Sequence, residues 1–223
     1  MKNGAHPIVI SALLAFTAGF VDTVGFIALF GLFTAHVTGN FVLIGAALID
    51  SHEGLVSKLL ALPLFVLAVT ATRLFILARE RRAHDATVPV LVGQLAFQGL
   101  FLACGLWLAP FDHADAPATI LTGMSAVVAM AIQNAAARTL FATLAPTTVM
   151  TGNVTQIVVD LVDIAVSGER TEARGRLRKM LPPVATFAAG ALAGALSYGT
   201  LDYAALIAPL VTTTLVLALN RRS

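Results

Sequence analysis

The sequence predicts an all-α integral membrane protein built as an inverted internal repeat. Three observations carry that reading. The chain is 58% hydrophobic, with a mean hydropathy of +0.88 and only 12% charged residues, about half the charged fraction of a soluble domain. Its apolar residues gather into long runs parted by short polar breaks. The triplet Thr38-Gly39-Asn40 recurs as Thr151-Gly152-Asn153, 113 positions later in a chain of 223. A chain this poor in charge cannot wet its surface, so most of that surface faces lipid. The length leaves room for about six to eight spans of about 20 residues each and for no separate soluble domain.

Taken in order, residues 7–30 form a first span, interrupted by Gly19, Asp22 and Gly25 at three-residue spacing on one helix face. The Met1-Lys2 start followed by an apolar run looks like a leader, but the run continues past Asp22 and reads as a retained helix. Residues 34–40 are a polar break. Residues 39–49 make a segment of about 17 Å, too short for a hydrocarbon core of about 30 Å. Residues 56–78 form a span with Pro63 and Arg73, and residues 79–85 a charged cluster. Residues 88–108 form the next span, with Gln94 and Gln98 one turn apart, and the acidic loop 111–115 marks the midpoint.

The second half repeats the order. Residues 117–141 carry Gln133, Asn134 and Arg138; residues 144–153 are a break with Pro146 and several threonines. Residues 152–166 are a short helix, about half a span if taken only to Leu161. Asp160 and Asp163 on it are expected to be solvated near a membrane surface. Residues 168–179 are a basic loop. A span at 180–196 opens with Pro182-Pro183 and spaces Gly190 and Gly194 for close helix packing. Residues 203–219 close the chain. Asp50 and Asp163 keep the offset of the triplets, so residues 1–113 and 114–223 are expected to be two repeats of one membrane domain.

Charge orients the spans. If all eight segments cross, the basic clusters at 79–82 and 170–179 fall on opposite sides, against the positive-inside bias. If the two triplet segments are re-entrant, each half has three spans and the second half is inverted. Lys2, both basic clusters and Arg221-Arg222 then fall inside, and the acidic loops 50–53 and 112–115 outside. Length and charge agree on six spans plus two re-entrant half-helices, with eight full spans as the alternative. Both termini are then cytoplasmic.

Irregular backbone at membrane depth has to be buried in protein or line a wet cavity. Thr38 and Thr151 suit N-caps, Gly39 and Gly152 permit close approach, and Asn40 and Asn153 offer a donor and an acceptor. Two facing half-helix starts favour a polar or anionic solute at the midplane. The competing reading is that each triplet only caps and packs its helix. Asp22 in mid-span is costly unless paired or wetted; it is either functional or a hydrogen-bonded structural group, with Arg138 as a candidate partner. Arg138 can equally snorkel at its helix end, as Arg73 is expected to do. Gln133 and Asn134 can line a pathway or join helices, whereas Gln94 and Gln98 read as interhelical glue. His36 reads as a break residue, because its counterpart is Val149. No nucleotide loop, nucleophile elbow, zinc-protease motif or paired cysteines occur, and Cys104 stands alone. An enzyme, a metal, a cofactor or a nucleic-acid partner is therefore not expected.

The stretch Gly19-Phe20-Val21-Asp22-Thr23-Val24-Gly25, followed by His36-Val37-Thr38-Gly39-Asn40 and a second Thr-Gly-Asn, resembles the YoaK family. The resemblance covers essentially the whole chain. It implies a multi-pass bacterial inner-membrane protein of unassigned activity, with motif positions Gly19, Asp22, Gly25, Thr38, Gly39, Asn40, Thr151, Gly152 and Asn153. The expected function is a small-solute transporter or channel whose site holds Asp22, the two triplets and Arg138. A membrane scaffold or regulator is the alternative. The partners expected are the bilayer, a small polar or anionic solute and a second copy in a homo-oligomer.

Overall fold

In lipid each backbone N–H and C=O must be satisfied within the protein, and helices do this segment by segment. The computed structural model follows that rule and describes residues 6–47, 49, 54–166 and 171–221. Among these residues there are eight α-helices and no strand: α1 (His6–Ala28), α2 (Gly39–Ala47), α3 (Leu55–Glu80), α4 (Thr87–Leu108), α5 (Pro117–Arg138), α6 (Met150–Val166), α7 (Thr171–Leu201) and α8 (Ile207–Arg221). A 3-10 turn, Asp202–Leu206, links the last two. The acidic loop predicted at 50–53, the start of the basic loop at 168–170, Lys2 and Arg222 lie outside the described residues.

Five stretches are long and apolar enough to cross a membrane: Pro7–Ala28, Leu55–Glu80, Thr87–Leu108, Pro117–Arg138 and Thr171–Arg221. The last is a run of 51 residues that contains both α7 and α8. Two elements depart from the sequence reading. The 17 residues of α6 span about 26 Å, more than a half-helix, while the nine of α2 span about 14 Å. The basic residues from 171 onward are the first turns of α7 rather than a loop. Arg176 is the reason: its guanidinium grips Asp160 on α6 at 2.6 and 2.9 Å, and Gln156 donates to the same carboxylate. Asp160 is thus fully buried against α7 instead of solvated.

The helices pair in a matched way. α1 packs on α7 and α8, and α5 packs on α3 and α4; α2 lies on α3, and α6 on α7. α1 and α5 are the inner helices, with 67% and 61% of their most apolar windows buried, against 17% for α3. Glycine sets the closest seam. Gly190 and Gly194 of α7 lie against the backbone of Phe16 and Phe20 of α1, and Gly19 lies against Phe187. The pairs 16 with 190 and 20 with 194 make α1 and α7 parallel. α1 and α5 are antiparallel, because Gln133 reaches the Leu14 carbonyl at 2.8 Å while Gly123 lies beside Leu29 and Leu32.

Two core clusters divide the bundle into ends. Phe20, Val24, Leu29, Ala61, Phe101, Ala126, Tyr203 and Leu206 fill one end. Ile10, Leu14, Ile76, Val90, Ala136, Phe141 and Val216 fill the other. The start of α3 lies at the same end as the close of α1, since Lys58 Nζ donates to the Phe30 carbonyl at 3.0 Å and Ser57 Oγ to that of Ala114 at 2.9 Å. The start of α7 lies at the opposite end, where Gly175, Arg178 and Lys179 share a cleft with Pro7, Ile8 and Leu144. Outside, Leu67, Leu74, Trp107, Leu192 and Leu196 stand exposed. An apolar exterior of this extent suits lipid rather than water.

Candidate functional site

Beyond Ala28 the chain reverses. Phe30 (φ 55°) and Gly31 (φ 79°) take left-handed conformations, and the chain doubles back along α1 to Asn40. Gly25 makes room, since a Cβ there would sit 2.7 Å from the Thr34 methyl. The three-residue spacing of Gly19, Asp22 and Gly25 acquires a physical meaning: Gly19 admits α7, Gly25 admits the returning chain, and Asp22 lies between them.

Asp22 is 5% exposed. Its Oδ1 accepts the N–H groups of Thr34, Ala35 and His36 at 2.8, 2.7 and 3.4 Å, with the Thr34 hydroxyl at 3.3 Å. Its Oδ2 lies 2.7 Å from His36 Nδ1. Successive backbone N–H groups converging on one point form a nest that suits an anion. The carboxyl group is thereby shielded from lipid and hydrogen-bonded at both oxygens, as a buried polar group has to be. An ionised Asp22 accepts from Nδ1–H, which leaves Nε2 as the ring nitrogen free to meet a solute.

The pair opens on a cleft of about 570 Å³ lined by Asp22, Thr23, Phe26, Phe33, His36, Thr38, Gly39 and Phe187. The His36 side chain is 29% exposed and meets the Phe187 ring edge-on at 5.5 Å. Three aromatic walls make the cleft mostly apolar, with Thr23, Thr38 and the Asp22–His36 pair as its polar groups.

The chain past α5 builds a second reversal of the same design. Thr148 Oγ1 lies 2.6 Å from Asn134 Oδ1, with the 14-residue separation of the Asp22–His36 contact. Asn153 donates to the Pro146 carbonyl and Asn40 to that of Phe33, each across seven residues and at 2.9 Å. A pocket of about 220 Å³ lies here, lined by Asn134, Arg138, Ala142, Leu144, Pro146, Thr147 and Thr148 among others.

The residues singled out in the sequence distribute as follows. Asp22, Thr38 and Gly39 share the first cleft. Asn40 is buried and bonds both the N–H and the carbonyl of Phe33. Thr151 and Gly152 are exposed in the first turn of α6, and Asn153 is buried beneath them. No hydrogen bond joins the two triplets among the described residues; they serve opposite ends of the antiparallel α1–α5 pair. The N–H groups of Gly39, Asn40 and Phe41 bond the carbonyls of His36, Val37 and Thr38, so the start of α2 does not present them to a solute. Arg138 does not pair with Asp22. It is exposed at the far end of α5, because α1 and α5 run in opposite directions. His36, read from sequence as a mere break residue, is the partner instead. The Asp22–His36 and Asn134–Thr148 contacts share a 14-residue spacing that sequence reasoning missed, the second pair standing one position off the offset of the triplets. No group of three or more metal-ligating side chains occurs among the described residues.

Comparison with known proteins agrees with the membrane architecture. The family model described as "Protein of unknown function (DUF1275)" matches residues 10–219. The chain is 32% identical over 162 residues to the "UPF0700 transmembrane protein YoaK" of Bacillus subtilis (strain 168), covering 72% of this chain and 70% of that protein. No solved structure matches.

Proposed function

We propose, for a chain that belongs to the DUF1275 family and whose helices are those of a membrane protein, that it moves a small polar solute across the membrane through the Asp22–His36 cleft. One observation carries the reading: a buried Asp22 paired with a partly exposed His36, held by a doubled-back chain, opens on a cleft large enough for a small solute. An ionisable group at such depth is a functional hypothesis by default.

The architecture we infer is six crossings with two re-entrant segments, the halves being inverted repeats. The support is threefold. Helix pairing is matched between the halves. Side-chain bonds recur at separations of seven and 14 residues. The chain leaves and re-enters the bundle at one end around α2 and at the other around α6. Reporter fusions after Asp112 and Glu172 are expected to read outside and inside, with Glu172 in the cytoplasm of an inner-membrane protein. An outside reading at Glu172 sinks the inverted repeat.

A scaffold or regulatory role is the second reading, favoured by one observation: the Asn40 and Asn153 amides are spent on their own loops. Flux separates the two. Proteoliposomes under gradients of small polar and anionic solutes are expected to shrink and recover faster than protein-free liposomes. The double variant Asp22→Asn/His36→Thr, which copies the neutral second reversal, should fold and lose that flux. Equal flux in wild type and variant defeats the transport site.

A further inference from the structure

The polar side chains at the bundle centre belong to neither cleft. On α4, Gln94, Gln98, Phe101 and Gly105 share one stripe. Gln94 donates to Gln133 of α5 at 2.8 Å, and Gln133 donates to the Leu14 carbonyl of α1 at 2.8 Å and to Thr147 at 3.4 Å. At the other end of the stripe, Gly105 lies against Tyr203, just ahead of α8. Val90 and Leu91 share a core with Val216, so α4 and α8 run antiparallel. That register brings Thr213 to the level of Gln94. Its neighbour Thr212 bonds Thr17 of α1 at 2.7 Å, one turn from Leu14. Four helices thus converge on one polar layer.

Within this layer Gln94 Oε1, both amide atoms of Gln98 and Thr213 Oγ1 have no protein partner. Gln94 and Thr213 are 0% exposed and Gln98 is 2% exposed. Buried polar atoms are ordinarily paired, and an internal water bonded to two to four of them is the common remedy. The free atoms are three acceptors and two donors, and no charged side chain stands among the residues named here. We propose that Gln94, Gln98 and Thr213 form an internal binding site for a small uncharged molecule that both donates and accepts hydrogen bonds, such as water or urea. An ion would meet no countercharge there.

The test uses the whole protein in nanodiscs and proteoliposomes. Gln98→Leu and Thr213→Val are each expected to lower the thermal midpoint, by roughly 2–4 °C, and the double variant by less than their sum, because each leaves the bound molecule's other partner unsatisfied. An unchanged or raised midpoint in both single variants overturns the site, since that is the behaviour of unpartnered groups in a dry core. Should a variant fail to fold, an experimental structure of the wild type that resolves ordered water decides. Density within hydrogen-bond distance of Gln98 and Thr213 supports the site, and direct apolar packing around them overturns it.

Osmotic light scattering with water and urea gradients then separates the sources, and only this arm rests on the transport reading. Permeability lost in Gln98→Leu makes the molecule a solute in transit. Lowered midpoints without wild-type permeability above bare liposomes make it a resident water, in which case the site stands and the Asp22–His36 cleft is judged by its own double variant.

Discussion

The two chain reversals share a plan and differ in chemistry. At the first, a carboxylate receives three backbone N–H groups and an imidazole. At the second, an amide and a hydroxyl meet across the same 14 residues. The first asparagine holds both polar groups of Phe33, whereas the second bonds the carbonyl of Pro146, which has no N–H to give, and also donates to Met150 Sδ at 3.7 Å. The second reversal closes with a neutral pair, so a loop of this shape can form without an ionisable group. Asp22 and His36 therefore bring ionisable side chains to a reversal whose partner closes without them.

Three pairs of substitutions press on this contrast. The largest effect is expected at the carboxylate. Asp22→Ala leaves three N–H groups and an imidazole unpaired and should cost about 3–5 kcal/mol, whereas Asn134→Ala should cost about 1 kcal/mol. Denaturant or thermal titration in detergent reads both, and equal losses would erase the distinction. The asparagines come next. Asn40→Ala strands both polar groups of Phe33 and should cost about 1–3 kcal/mol, against about 0.5–1.5 kcal/mol for Asn153→Ala; the reverse order would mean that the second loop is the more tightly bound. The glycines give the smallest effect and opposite signs. Gly152 has open space around it inside α6, so Gly152→Ala should raise stability by about 0.5–1 kcal/mol. A Cβ at Gly39 would meet the Phe33 ring at 2.9 Å, so Gly39→Ala should lower it. A loss at both positions would show that Gly152 has a contact absent from the free chain.

Much of this was legible in the sequence, and the gaps have physical causes. Hydropathy placed the spans because lipid demands uninterrupted apolar helix. The spacing of Gly19, Asp22 and Gly25 marked the face that admits close neighbours, and Gly190 with Gly194 marked the seam on α7. His36 and the Asn134–Thr148 pair were not legible. Their contacts depend on the path of a reversal whose left-handed turn falls on Phe30, a residue that rarely takes that conformation. The extra length of α6 and α7 escaped for a related reason: an ion pair between the buried Asp160 and the partly exposed Arg176 ties a hydrophilic stretch into packed helix, and hydropathy reads those residues as loop. The central position of Gln98 and Thr213 needed the antiparallel register of α4 and α8, which no local pattern encodes.

The cover over Asp22 also bears on how the chain enters a membrane. The glycine seam of α1 is with α7, whose contacting residues are synthesised some 170 positions later. During that interval α1 has to reside in lipid without its main partner. The groups that hydrogen-bond Asp22 lie only 12 to 14 residues beyond it, and they leave the ribosome almost together with the helix they cover. The first helix can therefore be released into the bilayer early, with its carboxyl group already satisfied by its own neighbouring chain. On this account, Ala35→Pro, which removes a backbone donor, and His36→Ala, which removes the ring, impair insertion at a stage when substitutions in α7 still have no effect.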